Sequence, residues 1–285
     1  MGIIAPKGSG KTTLICNLLE FYKGFFHTIV VFSPTVASDE KWDYVKQLPL
    51  LCENKPLKEF LVNEQRKMYQ RQIVEKPPEP IPNHDTNVFD LIVPEECFHS
   101  EYSSDDLREL MDQQMQMVRY LKSKGQSKHL ANRVLIIFDD LVGSQLFSQA
   151  RDNPFKTFNT THRHYSFSAI MVTQAYREIP KTVRTQFSCG ILFEIPNDKE
   201  IEVIYEETPL GYKRNTWQEL YEYCTEAEYA FMYFNYQKGK QLRIMRNFDE
   251  YVFAPKDANI PIKRPMKNPG DESDWIPEPP KKKQK

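Results

Sequence analysis

The sequence predicts an α/β fold with a mainly parallel β-sheet flanked by helices. Short apolar runs alternate with helical segments along most of the chain, which is the pattern of strands and crossover helices in a parallel sheet. A glycine-rich loop at residues 5–12 joins the first apolar run to a helical segment. The later run at residues 134–138 is apolar throughout, as in a strand that is buried on both faces.

The loop at residues 5–12 fits the pattern of a phosphate-binding loop, in which Ala or Gly is followed by four residues and then by Gly-Lys-Thr or Gly-Lys-Ser. Its glycines let successive backbone N–H groups point at phosphate oxygens, and the positive end of the next helix attracts the same anion. Lys11 is expected to reach the β- and γ-phosphates, and the Thr12 hydroxyl to bind Mg²⁺. The residues predicted to bind a nucleoside triphosphate are Ala5, Pro6, Lys7, Gly8, Ser9, Gly10, Lys11, Thr12 and Thr13.

The other elements follow from periodicity and composition. Residues 1–4 are all that precedes the loop, so the first strand is either unusually short or has lost N-terminal residues. Apolar, β-branched runs predict further strands, and an apolar stripe after Ser104 predicts a long helix that this serine caps. We predict helices at residues 13–22, 57–76 and 104–122, strands at 27–32, 88–93, 134–138, 167–173 and 190–195, and a late hairpin from 229–236 and 242–248.

Two segments stand apart from this pattern. A Pro-rich insert is predicted around residues 77–87, inside a nucleotide-binding domain that covers residues 1–254. Residues 255–285 are rich in Pro and Lys, and we predict that they form a disordered tail.

Composition excludes several classes of protein. No apolar run is long enough to span a bilayer, and no secretion signal opens the chain. Five scattered cysteines without a Cys-x-x-Cys pair indicate reduced thiols in a cytoplasmic or nuclear protein. The net charge of −1 argues against a globally basic nucleic-acid coat and leaves room for a local basic surface.

Polar side chains at strand ends supply candidate catalytic groups. Asp139 and Asp140 follow the run at residues 134–138, where the first acid could hold Mg²⁺ and the second could polarise the attacking water. Gln174 follows the predicted strand at residues 167–173, and its amide could contact both the γ-phosphate and that water. The two acids could also be a plain turn after a core strand, and Gln174 could be a surface residue that caps a strand.

Two arginines flank the strand that precedes Gln174. Arg163 or Arg184 could neutralise the charge that develops on the γ-phosphate, in the same subunit or in a neighbouring one. Either could instead bind DNA phosphate or be a solvated surface charge. Residues 151–190 carry six Lys or Arg against two acids, which is compatible with a nucleic-acid backbone or with a solvated face.

The ordered series of motifs resembles the genome-packaging ATPases of large double-stranded DNA viruses, such as poxviruses and giant viruses, within the FtsK/HerA superfamily of P-loop NTPases. The resemblance covers about residues 2–210. It is carried by residues 5–12, by Phe32-Ser33-Pro34-Thr35, by residues 137–140, by Arg163-His164 before Val172-Thr173-Gln174, and by Pro180 with Val183-Arg184.

This resemblance implies a RecA- or FtsK/HerA-like ATPase that uses ATP and Mg²⁺, forms a homo-oligomeric ring, expected to be a hexamer, and pumps double-stranded DNA into a capsid. It implies that Lys11 and Thr12 bind phosphate and metal, that Asp139 holds the metal and that Asp140 is the base. It also implies that Gln174 senses the γ-phosphate and that Arg163 reaches the adjacent subunit's site. Capsid or virion proteins are the further partners implied, in a viral factory or virion of a host cell.

Two other functions compete with a DNA translocase. The chain could be a non-catalytic assembly switch that binds nucleotide, or an inactive truncated copy. It could also be a small-molecule or nucleotide kinase, although the Arg-bearing lid that a kinase wants is not evident.

Overall fold

A nine-stranded sheet is the centre of the computed structural model, which describes residues 1–70, 91–141 and 143–254. The strands are β1 (Gly2–Ile4), β2 (Thr28–Phe32), β3 (Phe98–His99), β4 (Val134–Asp139), β5 (Phe167–Thr173), β6 (Cys189–Phe193), β7 (Phe231–Asn235), β8 (Ile244–Arg246) and β9 (Glu250–Tyr251). The helices are α1 (Lys11–Phe21), α2 (Glu40–Lys46), α3 (Lys55–Gln70), α4 (Ser104–Ser123), α5 (Pro154–Thr161), α6 (Lys181–Arg184), α7 (Asp198–Glu207) and α8 (Arg214–Thr225).

The strand order is β3-β2-β4-β5-β1-β6-β7-β8-β9. The pairings from β3 through β6 are parallel, whereas β7, β8 and β9 join antiparallel. The predicted α/β fold with a mainly parallel sheet and a late antiparallel addition is therefore confirmed. The first strand is only three residues long, yet it is fully buried between β5 and β6.

Alternating side chains of β1 face the cores on the two sides of the sheet. Ile3 packs with the apolar side of α1, including Ile15, whereas Ile4 packs with Trp217 of α8. Because successive strand residues point to opposite faces, this short strand contributes to both cores. The phosphate-binding loop that follows is consequently anchored at the middle of the sheet.

Two glycines make close packing possible beside β1. Gly2 and Gly190 are register partners on β1 and β6. A Cβ at Gly2 would collide with the ring of Phe187, and a Cβ at Gly190 would collide with the ring of Phe234. The absent side chains leave room for the two rings against the sheet.

Several predicted boundaries differ from those observed. Helix α4 is capped by Ser103, whose Oγ accepts from the N–H of Asp106 at 3.1 Å, and not by Ser104. Residues 91–93 do not form the strand predicted for 88–93, because they lead into a 3₁₀ turn at Glu95–Cys97. Helices α2, α5, α6, α7 and α8 were not predicted. Four predicted segments lie outside the described residues: the insert at residues 77–87, the end of the predicted helix at 71–76, residues 88–90 and the tail at 255–285.

No helix within the described ranges is long and apolar enough to cross a bilayer.

Candidate nucleotide-binding site

The loop between β1 and α1 has the backbone of an anion-binding loop. Gly8 and Gly10 have φ of +81° and +87°, which glycine adopts without the steric cost of a Cβ. The Ser9 N–H and hydroxyl both donate to the Pro6 carbonyl, at 3.2 and 2.7 Å. Among the described residues no side chain caps α1, and no acidic residue lies in its first turn, so its N-terminal N–H groups remain available to an anion.

Four of the predicted catalytic and binding side chains meet at the carboxyl edge of the sheet. Lys11 Nζ lies 2.8 Å from Asp140 Oδ2 and 4.0 Å from Asp139 Oδ1. Gln174 Nε2 donates to the same Asp140 oxygen. Asp140 has a φ of +52°, a left-handed conformation that Asp tolerates better than most residues and that directs the chain out of β4. Loop, strand-end acids and amide therefore form one cluster.

Asp139 is fully buried and only partly satisfied. Its Oδ2 accepts a hydrogen bond from Ser33 Oγ at 2.8 Å, whereas its Oδ1 has no hydrogen-bond partner among the described residues. Burial raises the pKa of this carboxyl, and the Ser33 hydrogen bond and the charge of Lys11 oppose that rise. This orphaned carboxylate oxygen lies 4.0 Å from Nζ of Lys11, the residue before Thr12, and a free carboxylate oxygen is a ligand that Mg²⁺ prefers.

Ser33 belongs to the Phe32-Ser33-Pro34-Thr35 turn that carries the resemblance, but no role in the site was predicted for it. It follows β2, and its hydroxyl lies 3.0 Å from Thr35 Oγ1, which in turn accepts from Trp42 Nε1 at 3.2 Å. This chain of hydrogen bonds connects Asp139 to helix α2. Its position in the sequence could have indicated this role. A polar residue directly after β2, the strand beside β4, lies at the same edge of the sheet as Asp139.

Arg163 lies far in space from the Lys11, Asp139, Asp140 and Gln174 cluster of the same chain. It is exposed in the 3₁₀ turn at His162–Tyr165, before β5, and its Nη2 donates to the Gln186 carbonyl at 3.1 Å. The seven residues of β5 separate it from Gln174, a rise of about 23 Å at roughly 3.3 Å per residue. Arg163 thus lies at the opposite edge of the sheet from the nucleotide loop.

Arg184 is buried in an ion pair on the α7–α8 side of the sheet. Its Nη2 lies 2.7 Å from Glu207 Oε1, its Nη1 donates to the Tyr176 carbonyl at 3.1 Å, and its guanidinium lies 4.5 Å from the Tyr176 ring centroid. The Tyr176 hydroxyl donates to the other Glu207 oxygen at 2.9 Å. These residues line a cavity of about 350 Å³ bordered by Ile4. The structure does not bring Arg184 into contact with Lys11.

The chain matches known proteins in both sequence and structure. The profile of the poxvirus A32 protein family matches residues 79–229. No curated protein sequence gives a significant match to the chain.

Structural matches to the chain include three solved ATPase and NTPase structures. The genome packaging NTPase B204 from Sulfolobus turreted icosahedral virus 2, in complex with AMPPCP, is 12% identical and superposes with a TM-score of 0.50, over 89% of this chain and 97% of that one. The pCW3 conjugation coupling protein TcpA is 11% identical, with a TM-score of 0.44 over 82% of this chain and 56% of that one. EssC from Geobacillus thermodenitrificans is 13% identical, with a TM-score of 0.39 over 73% and 34% of the two chains. The B204 superposition shows that the chain shares the fold of a P-loop NTPase.

Proposed function

The chain belongs to the poxvirus A32 protein family, and on that premise we propose that this ATPase couples ATP hydrolysis to the movement of double-stranded DNA. The observation that carries the proposal is that Lys11 and Gln174 both donate to Oδ2 of Asp140, directly beside the buried Asp139. A phosphate loop, two strand-end acids and an amide at the carboxyl edge of a parallel sheet are the groups that ATP hydrolysis needs.

In this proposal, the loop and Lys11 bind the triphosphate. Backbone N–H groups between Lys7 and Thr13 hold the phosphate oxygens, and Lys11 exchanges its partner Asp140 for the β- and γ-phosphates. Thr12 and Asp139 hold Mg²⁺, which neutralises charge on the phosphates when it is bound. Once Lys11 has left, the Asp140 carboxylate is free to accept a proton from the attacking water.

Gln174 connects the γ-phosphate to the body of the protein. It directly follows β5. Two and three residues further on, the backbone N–H groups of Tyr176 and Arg177 both donate to the Glu200 carboxylate of α7. A change in the partner of Gln174 can therefore displace α7. These contacts support coupling of hydrolysis to motion, with duplex DNA as the load that is moved.

In a ring of copies, a neighbouring subunit can supply an arginine to the γ-phosphate. Within the described ranges, no arginine is hydrogen-bonded to Lys11, Asp139, Asp140 or Gln174, and Arg184 is held by Glu207. Exposed Arg163 is the better candidate to reach the γ-phosphate of a neighbouring subunit. We propose a homo-oligomeric ring, a hexamer, acting with capsid or virion proteins at the site of virion assembly.

Hydrolysis by the purified chain, with and without long duplex DNA, tests the proposal. We expect duplex DNA to raise the turnover several-fold and Lys11→Ala to abolish it, while Lys23→Ala, an exposed lysine just beyond α1, leaves it unchanged. Tight ATP binding without turnover would identify an assembly switch instead. Phosphate transfer to a small acceptor would identify a kinase, and hydrolysis indifferent to DNA would refute translocation.

A further inference from the structure

Tyr229 is an exposed aromatic residue beside the phosphate-binding loop. It lies between α8 and β7 with 61% of its surface exposed, and it has a φ of +62°. A methyl group built on Gly10 would lie 3.3 Å from Tyr229 Cδ1, so the ring lies against the loop backbone directly before Lys11. Folding alone does not account for this placement, because an exposed ring gains little from burial.

The strained backbone of Tyr229 holds the ring in place. A left-handed conformation is unfavourable for a bulky residue, and such strain concentrates where ligands are held. The Ala230 N–H donates to the Ala227 carbonyl at 3.0 Å, which closes the turn. Phe231 then turns inward and packs on Phe193, with 5.4 Å between the ring centroids. The turn and the first strand residue thus fix Tyr229 on the loop side.

The sheet order fixes the direction in which a bound nucleotide extends. The groups proposed to meet the γ-phosphate, Asp140 and Gln174, follow β4 and β5, on one side of β1. Tyr229 precedes β7, on the other side of β1. A nucleotide whose γ-phosphate lies toward β5 therefore directs its ribose and base toward β6 and β7, where the exposed ring is located.

We propose that Tyr229 is the residue that stacks on the base of the bound nucleoside triphosphate. This inference rests on the proposed function, since it assumes a triphosphate in the loop. Stacking contacts the face of the base and not its hydrogen-bonding edge, so it selects for an aromatic base without distinguishing adenine from guanine. The phosphate-binding loop supplies affinity for the triphosphate, and Tyr229 supplies affinity for the nucleoside.

Calorimetric titration with ATP, GTP and inorganic tripolyphosphate separates these two contributions. We expect Tyr229→Ala to weaken ATP and GTP binding about 10-fold or more, in line with the measured worth of base–aromatic stacking, and to leave tripolyphosphate binding unchanged. Tyr229→Phe should bind all three as the unaltered protein does. Tyr69→Ala, at an exposed tyrosine of α3, is the matched control.

The outcomes distinguish this inference from the proposed function. If Tyr229→Ala binds ATP normally, or weakens tripolyphosphate as much as ATP, stacking by Tyr229 is refuted and the triphosphate site stands. If the unaltered protein binds neither ATP nor tripolyphosphate, the proposed function fails, and the inference with it. Should the alanine variant not fold, Tyr229→Asn removes the ring with a residue that accepts the left-handed backbone.

Discussion

The Lys11–Asp140 and Arg184–Glu207 ion pairs have nearly the same length, 2.8 and 2.7 Å, but different surroundings. The first lies at an open sheet edge, with side chains 15% and 21% exposed and the unsatisfied Asp139 carboxylate beside it. The side chains of the second pair are only 8% and 12% exposed, and Tyr176 stacks on its guanidinium. A lysine on a flexible stem can exchange its partner, whereas a stacked, forked arginine is fixed. We conclude that the first pair is suited to ligand binding and the second to holding α7.

The largest effect is expected at the open pair. Asp140→Asn should lower the rate of ATP hydrolysis about 10²- to 10⁴-fold, because an amide cannot accept the proton of the attacking water. ATP affinity should be retained, since Lys11 loses a competitor for the phosphates and Asn tolerates the left-handed backbone. Single-turnover hydrolysis and direct binding measure the two quantities. Asp152→Asn, at an exposed loop acid, is the control. Hydrolysis at the normal rate would remove Asp140 from the chemistry.

Removing one partner of the covered pair, Arg184–Glu207, should lower the stability of the protein. Glu207→Ala leaves the Arg184 guanidinium buried without its carboxylate, and we expect the free energy of unfolding to fall by about 3–5 kcal/mol. Lys11→Ala should change it by less than about 1 kcal/mol, because that pair is partly solvated. Chemical denaturation measures both, with exposed Glu206→Ala as the control for α7. Equal losses for the two variants would contradict the distinction between the pairs.

The smallest effect is expected at Ser33, which donates a hydrogen bond to Asp139 beside the open pair. Ser33→Ala removes the donor to Asp139 and should raise the Mg²⁺ concentration for half-maximal hydrolysis about 10-fold. Since that bond lowers the pKa of Asp139, its loss raises the pKa further, and the acid limb of the pH–rate profile should move to higher pH. Ser38→Ala, at an exposed serine of the same turn, should leave both unchanged. An unshifted acid limb would show that Ser33 does not act through Asp139.

Local signals in the sequence predicted the features that depend on local residues. The phosphate-binding loop is defined by its glycines and Lys11, and β4 by an apolar run that ends in acids. Helix α8 was missed although Trp217, Leu220, Tyr221 and Cys224 repeat at helical spacing and are buried. Helix α7 was missed although it begins after Asn197, a residue type that often caps helices. In the structure Asn197 accepts a hydrogen bond from the N–H of Lys199.

Contacts between distant positions could not be predicted from one sequence. Glu207 is 23 residues from Arg184, and Ser33 is 106 residues from Asp139. Nothing in the residues around Arg184 distinguishes an arginine that binds phosphate from one that a buried glutamate holds. The grouping of Lys11 with the strand-end acids followed from the nucleotide-binding motifs and the parallel sheet, while the chemical role of each side chain stays a prediction.

The paired glycines Gly2 and Gly190 have an evolutionary consequence. Each is matched to a different ring, Phe187 for the first and Phe234 for the second, so neither glycine can compensate for a change in the other. A larger residue at Gly2 becomes tolerable only when position 187 shrinks, and the same holds for Gly190 with position 234. Among relatives of this chain, each glycine is therefore expected to covary with its aromatic partner, and not with the glycine across the strand pair.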